Sequence, residues 1–131
     1  MKLIKTILTL AIFATTSAAL ASGPVLDAGV HNGSCIAPAV CMSLYKYNGI
    51  TTLHVAYEGS ILSYPLTAGV LINGNFIGNV SLTRATGEGQ QDGGFIALNG
   101  SENGDLAVYF FDQNGNYDSN YSENYHFTLE Q

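Results

Sequence analysis

The residues of this chain best suited to chemistry lie together near its C-terminus. An apolar stretch ends at Phe111 and an alternating stretch begins near Tyr125. Between them the sequence reads Asp-Gln-Asn-Gly-Asn-Tyr-Asp-Ser-Asn-Tyr-Ser-Glu-Asn. Tyrosine offers a flat apolar face with a polar tip, and Asn and Asp offer donors and acceptors that orient the hydroxyl groups of a sugar. This composition is typical of a loop that contacts sugars, of one that orders a cation and of one that simply builds a turn, and it does not select one of the three.

The same segment spaces its oxygen atoms as a calcium-binding loop does. Positions 1, 3, 5, 7 and 12 of an EF-hand ligate the ion, and here they are Asp112, Asn114, Asn116, Asp118 and Glu123. Tyr117 replaces the glycine that an EF-hand needs at position 6, and predicted strands flank the loop, which excludes an EF-hand. A calcium site without helices is the remaining metal hypothesis; otherwise we expect no cofactor and a turn held by Asx hydrogen bonds.

A short motif in this segment resembles a known family signature. The motif reads Tyr117-Asp118-Ser119-Asn120, then three residues, then Asn124-Tyr125. It is similar to the closing signature of starch-binding carbohydrate-binding modules of families 21, 25 and 53, where an aromatic-Asp-Asn-Asn run precedes Asn-Tyr. Two positions depart from that pattern, since Tyr117 stands for Trp and Ser119 for Asn, and the chain contains no Trp.

The resemblance implies a β-sandwich that binds an α-glucan or another neutral polysaccharide without catalysis. The implied ligand-binding residues are Tyr117, Asp118, Asn120, Tyr121, Asn124 and Tyr125. In this hypothesis Asp118 and Asn124 hold the loop by hydrogen bonds to backbone, while Tyr117 and Tyr121 present ring faces to the ligand. The alternative function is a protein-interaction or structural module, stabilised by calcium if the metal hypothesis holds.

Motifs of common enzymes are missing from the sequence. It has no Gly-x-Ser-x-Gly and no His-Glu-x-x-His. His54 and His126 fall on the polar side of alternating stretches, so we expect exposed strand residues rather than catalytic bases. No spacing singles out two acids as a catalytic pair. We therefore predict that the protein is not an enzyme.

The N-terminus predicts export. Residues 1–21 carry two lysines, an apolar run and an Ala-Leu-Ala cleavage site, as a signal peptide does. Residues 22–131 then form one domain, large enough for its own core. Lys46 and Arg84 are its only cations against ten acids, which gives a net charge of −8. We expect a periplasmic or extracellular protein that binds a polysaccharide or a protein, and neither nucleic acid nor a membrane interior.

Both cysteines lie in the exported part. Cys35 and Cys41 are expected to form a disulfide in an oxidising compartment. The closed ring is small, so the chain-entropy model gives a stabilisation of roughly 2–2.5 kcal/mol. Their spacing does not match that of a zinc finger.

Asn-Gly turns and period-two alternation predict an all-β fold. Six Asn-Gly pairs separate short apolar runs, and this dipeptide is a strong hairpin signal. Leu53, Val55 and Tyr57 should share one strand face, and residues 106–111, which are apolar on both faces, should form a central strand covered on both sides. The predicted fold is an antiparallel, immunoglobulin-like β-sandwich of about seven strands, with a small closed barrel as the alternative. The predicted strands are 41–47, 50–57, 67–72, 75–84, 93–98, 105–112 and 121–130.

Overall fold

The computed structural model describes residues 23–27, 33–36, 40–58, 62–84, 92–99 and 102–131. This part of the chain forms ten β-strands and no helix, in keeping with its runs of Val, Ile, Leu, Tyr, Phe and Thr. The strands are β1 (Val25–Asp27), β2 (Ser34–Ile36), β3 (Val40–Tyr47), β4 (Ile50–Tyr57), β5 (Leu66–Ile72), β6 (Asn75–Leu82), β7 (Asp92–Leu98), β8 (Gly104–Asp112), β9 (Tyr117–Asp118) and β10 (Tyr125–Glu130).

The strands form two sheets packed as a sandwich. The first sheet has the order β1-β10-β8-β5-β6, with β9 paired to β8, and the second has the order β2-β3-β4-β7. Every pairing is antiparallel except that of β1 with β10. Hydrogen bonds join the sheets at both margins: Ser34 Oγ donates to the Val25 carbonyl at 3.0 Å, and Thr83 and Gly93 exchange backbone bonds at 2.8 and 3.2 Å.

The predicted sandwich is confirmed, with ten strands instead of about seven. The three additional strands, β1, β2 and β9, have two or three residues each, which is too short for an alternating pattern to be read. The last predicted strand began too early, because β10 starts at Tyr125 and residues 121–124 belong to a loop. The predicted signal peptide, residues 1–21, lies outside the described residues. So does most of the segment 85–94, whose glycines and polar residues predict a loop.

The core lies between the two sheets and follows the predicted alternation. Leu53, Val55 and Tyr57 of β4 are fully buried, as are Phe127 of β10 and Phe110 of β8. Strand β8 is central, with β10 on one side and β5 on the other. Its inner side chains are buried, whereas those of Asp105, Tyr109 and Phe111 on its outer face remain partly open to solvent. The expectation that β8 is covered on both faces is therefore met on one face only.

Two Asn-Gly hairpins and one disulfide agree with the sequence. Asn48-Gly49 has φ values of 51° and 79°, and Asn73-Gly74 has 50° and 82°, the left-handed pair that a two-residue hairpin requires. Cys35 and Cys41 are direct partners across β2 and β3 and form the expected disulfide. Within the described ranges no helix is long and apolar enough to cross a membrane.

Candidate functional site

The turn that joins β8 to β9 is built around the carboxylate of Asp112. Its Oδ1 accepts from the backbone N–H groups of Asn114 and Asn116 at 2.9 and 3.0 Å. Its Oδ2 accepts from the Asn116 side-chain amide at 3.0 Å and from the Ser63 N–H at 3.1 Å. The bond from Ser63 is the largest cause that lowers the pKa of Asp112 to about 2; burial opposes it, and the bonds from Asn116 and Asn114 add to it.

The carboxylate of Asp118 ties the end of β9 to both sheets. Its Oδ2 accepts from the hydroxyl of Tyr57 at 2.5 Å, and its Oδ1 accepts from the hydroxyl of Tyr125 at 2.7 Å. Tyr57 belongs to the second sheet, is fully buried and stacks on Phe110 with ring centroids 4.1 Å apart. Burial raises the pKa of both tyrosines, and the bond to Asp118 raises it further. Asp118 therefore links the two sheets beneath the loop that follows it.

The loop between β9 and β10 has an unusual backbone. Four of its residues have positive φ, with values of 51°, 58°, 71° and 63°: Asn120, Tyr121, Ser122 and Asn124. A left-handed conformation costs a residue with a side chain roughly 1–2 kcal/mol. Two hydrogen bonds close the loop. The Asn124 N–H donates to the Ser119 carbonyl at 2.7 Å, and the Asn120 side-chain amide donates to the Asn124 carbonyl at 3.0 Å.

Two tyrosines face solvent around a concavity at this loop. The concavity has a volume of about 500 Å³ and is lined by residues 117–122 together with Tyr125. Tyr121 is 98% exposed and Tyr117 is 60% exposed. Tyr125, in contrast, is half-buried, with its hydroxyl on Asp118 and its ring 6.0 Å from that of Phe110. The loop therefore displays two aromatic rings beside serine hydroxyls and backbone polar groups.

His126 fastens the C-terminal side of the loop. Its Nδ1 lies 2.7 Å from Asp105 Oδ1, and its Nε2 lies 2.7 Å from the Glu123 carbonyl oxygen. Both partners are acceptors, so both contacts are hydrogen bonds only when the ring is an imidazolium that donates at each nitrogen. Although partial burial acts to lower it, the bonds to Asp105 and to the Glu123 carbonyl raise the pKa of His126 above its ordinary value.

The structure brings the predicted polysaccharide-binding residues together, but some of them face solvent and others face the core. Tyr117, Asp118, Asn120, Tyr121 and Tyr125 all line the concavity. The loop is held differently from our expectation. Asp118 binds two tyrosine hydroxyls rather than backbone, because the Asp118 carboxylate faces the core, and Asn124 contributes its own backbone groups. Tyr117 and Tyr121 are exposed as the sugar hypothesis requires.

The five oxygen-bearing residues of the calcium hypothesis do not form a common site. Across the described ranges, no three His, Cys, Asp or Glu side chains are placed to share a metal ion. The carboxylates of Asp112 and Asp118 accept hydrogen bonds at both oxygens, and Asn116 donates its side-chain amide to Asp112. Asn114 likewise turns its backbone N–H toward Asp112. Both carboxylates of the turn at residues 112–118 are thus engaged by donors from the turn itself and from Ser63, Tyr57 and Tyr125.

The sequence did not reveal the residues that contact the site from remote parts of the chain. Tyr57 and Ser63 lie far from the motif in the chain, and nothing in the sequence pairs them with Asp118 and Asp112. Strand parity placed His126 on the outer face, but its bond to Asp105 depends on the register of β10 against β8.

Comparison with other proteins leaves the family open. No protein-family model, no curated protein and no solved structure matches the chain. The resemblance to starch-binding modules therefore stays a prediction from the motif, and a functional proposal depends on the geometry of the loop after β9.

Proposed function

We propose that this chain is a secreted, non-catalytic module that binds a neutral polysaccharide such as an α-glucan. The ligand contacts the loop at residues 119–124 and the tyrosines beside it. The disulfide between Cys35 and Cys41 supports an oxidising location, either the periplasm or the cell exterior.

The observation that carries this proposal is the position of Tyr121. A tyrosine buries a large apolar ring when it packs, yet this ring is 98% exposed and its backbone lies in the left-handed region at φ 58°. Strained residues of this kind persist where the surroundings fix them, and they cluster at binding sites. Here the hydrogen bonds of Asn120, Asn124 and His126 fix them. The fold thus holds an aromatic face toward solvent at a cost in stability.

The chemistry of the concavity suits a sugar. The rings of Tyr117 and Tyr121 offer flat faces for the CH surface of a pyranose, while Ser119 and Ser122 place hydroxyls on the same lining. Two of the acids at the loop are occupied, because Asp112 and Asp118 accept hydrogen bonds at both oxygens. Their engagement supports binding rather than acid–base catalysis.

Retention on insoluble polysaccharide tests the proposal. The protein is mixed with starch, cellulose or chitin, with calcium or with a chelator, and the bound fraction is measured. We expect retention on starch that is independent of calcium. The Tyr117→Ala/Tyr121→Ala double variant should lose that retention while keeping the same melting temperature.

A matched control distinguishes binding at this loop from nonspecific binding by any exposed aromatic ring. Tyr47 is 78% exposed but lies on β3 of the second sheet, so Tyr47→Ala removes a comparable ring from another surface. We expect it to bind starch as the unaltered protein does. If no polysaccharide retains the protein, or if Tyr47→Ala matters as much as the double variant, the loop is not a polysaccharide site.

The alternative function is a protein-interaction module, and the outer face of the second sheet favours it. The His54 ring lies 4.6 Å from Phe95 and 6.5 Å from Tyr45, and Phe95 is 65% exposed. An exposed aromatic strip of this kind serves a protein contact, with a second copy of the chain as the simplest partner. Sedimentation over a range of concentrations tests it: the protein should dimerise, and Phe95→Ser should stay monomeric. A monomer at every concentration would contradict this alternative.

A further inference from the structure

Three aromatic rings form a continuous surface on the outer face of the first sheet. Tyr109 and Phe111 alternate along β8, and Tyr117 of β9 is the register partner of Phe111. Their ring centroids lie 5.4 to 6.2 Å apart and their planes are within 27° to 34° of one another. We call Tyr109, Phe111 and Tyr117 the ring platform. It begins at the concavity, because Tyr117 belongs to both.

A glycine on the neighbouring strand determines how the platform lies. Gly69 of β5 is the register partner of Tyr109. The outer end of the Tyr109 ring occupies the space where a Cβ atom of residue 69 would stand. The ring therefore leans sideways over the backbone of β5 instead of standing upright from the sheet. The planes of the other two rings are inclined by 27° and 34° to that of Tyr109, so the three rings form one aromatic surface over β8 and its neighbours.

On its β5 and β6 side the platform is bordered by uncharged strands, and on its β10 side His126 and Asp105 pair with each other at 2.7 Å. Strands β5 and β6 contain no Asp, Glu, Lys or Arg, and neither do residues 106–111 of β8. Polar groups are present, because Thr67, Asn79 and Ser81 alternate with the buried residues of β5 and β6. In a chain this acidic, an uncharged face with aromatic rings and hydroxyl groups does not attract a basic partner, but it does match a neutral, hydroxyl-rich one.

We propose that the polysaccharide site continues from the concavity over the ring platform, so that the ligand is an extended chain of at least four sugar units. This inference rests on the proposed function. One end of the bound stretch lies in the concavity under Tyr121, and the following units stack on Tyr117, Phe111 and Tyr109. Tyr117 is exposed, and Tyr109 and Phe111 are partly open to solvent. In this proposal the polysaccharide continues past the site at both ends, and internal stretches of chain bind as well as ends.

The dependence of affinity on ligand length tests the inference. Calorimetry is carried out with linear malto-oligosaccharides of two, four and seven glucose units, and with β-linked cello-oligosaccharides of two, four and six. A site limited to the concavity gives the same affinity for all lengths. A site that includes the platform gives an affinity at least tenfold higher for the longest ligand than for the disaccharide, because each added ring stacking contributes to binding.

Two variants test whether the gain in affinity with ligand length comes from the ring platform. Tyr109→Ala deletes its far ring, and Gly69→Ala fills the space over which that ring leans and so displaces it. Each should lower the affinity for the longest ligand about tenfold while leaving the disaccharide affinity unchanged. Phe95→Ala, which removes an exposed ring from the second sheet, is the control and should change neither.

The outcomes separate the two proposals. If the unaltered protein binds no glycan of any length or linkage, the proposed function itself fails. If it binds and needs Tyr121, but length makes no difference or Tyr109→Ala behaves as Phe95→Ala does, only the extension over the platform is overturned. Near-ultraviolet circular dichroism of each variant shows that the core is intact.

Discussion

The β8–β9 turn and the loop after β9 have similar compositions, but their main side chains face in opposite directions. The turn, residues 112–118, directs the carboxylates of Asp112 and Asp118 inward, where both oxygens of each accept hydrogen bonds. The loop, residues 119–124, is turned outward and presents Tyr121 at 98% exposure. Richness in Asn, Asp and Tyr therefore does not mark a binding site by itself. The hydrogen-bond partners of each side chain distinguish residues that stabilise the fold from residues that are available to a ligand.

The difference has an energetic counterpart. The turn satisfies both of its carboxylates with hydrogen bonds, and Asp112 is buried, so deleting either carboxylate leaves donors without partners. The loop holds residues in a backbone conformation that they disfavour and leaves a ring in water. Substitutions of the two turn carboxylates should therefore affect stability, and substitutions of the exposed rings of Tyr117 and Tyr121 should affect binding.

Loss of the Asp118 carboxylate should have the largest effect on stability. Asp118→Ala leaves the hydroxyls of Tyr57 and Tyr125 without their acceptor, and that of Tyr57 is fully buried. We expect a loss of about 3 kcal/mol in the free energy of unfolding. Tyr57→Phe removes only one donor and should cost about 1 kcal/mol. Urea denaturation measures both, and equal stability of Asp118→Ala and the unaltered protein would show that β9 does not link the sheets.

The Asp112 turn should make the protein sensitive to acid. The pKa of Asp112 falls from an ordinary value of 3.8 to about 2 on folding, so its contribution is present above pH 4 and is lost as the pH falls toward 2. Asp112→Asn should be less stable than the unaltered protein at pH 7, and the two should become alike near pH 2. Urea midpoints at pH 7, 4 and 2 measure this. A constant difference across that range would contradict the assignment.

The sequence predicted the strands and hairpins of the molecule better than the contacts within its candidate site. Alternation and Asn-Gly pairs are local signals, and they located seven strands and both hairpins because strand faces and turn conformations depend on near neighbours. The partners of Asp112 and Asp118 lie 49 and 61 residues away, so the sequence offered no sign of them. The calcium hypothesis failed to predict the geometry for the same reason: spacing identifies oxygen atoms, but not the donors that already occupy them.

Replacing Tyr121 with glycine should increase the stability of the protein and weaken its binding to starch. Glycine adopts φ 58° without strain, so Tyr121→Gly relieves the backbone while removing the displayed ring. After the entropy that glycine adds to the unfolded chain, we expect a gain of up to about 1 kcal/mol in stability. Starch retention should fall at least tenfold. Tyr121→Ala is the control, since it loses the same ring but keeps the strain, and equal binding by Tyr121→Gly and the unaltered protein would remove Tyr121 from the site.

The smallest expected effect is a pH dependence from His126. Folding raises the pKa of His126, so its stabilisation is fully present below the ordinary histidine value near 6.5 and is lost as the pH rises through the higher folded value. The neutral ring donates at one nitrogen only, so it gives up either Asp105 or the Glu123 carbonyl. Because the pair is partly exposed, we expect the stability to fall by less than about 1 kcal/mol between pH 5 and pH 8.

A single substitution isolates this effect. His126→Gln keeps one donor at all pH values and does not titrate in this range, so its stability should stay level where that of the unaltered protein declines. Hydrogen exchange of the Asn124 amide, which closes the loop onto Ser119, reports the same change locally and should quicken beyond the intrinsic rise with pH only when His126 is present. If His126→Gln declines in parallel with the unaltered protein, the contact with the Glu123 carbonyl does not hold the loop. The backbone bonds of Asn120 and Asn124 then suffice to display Tyr121.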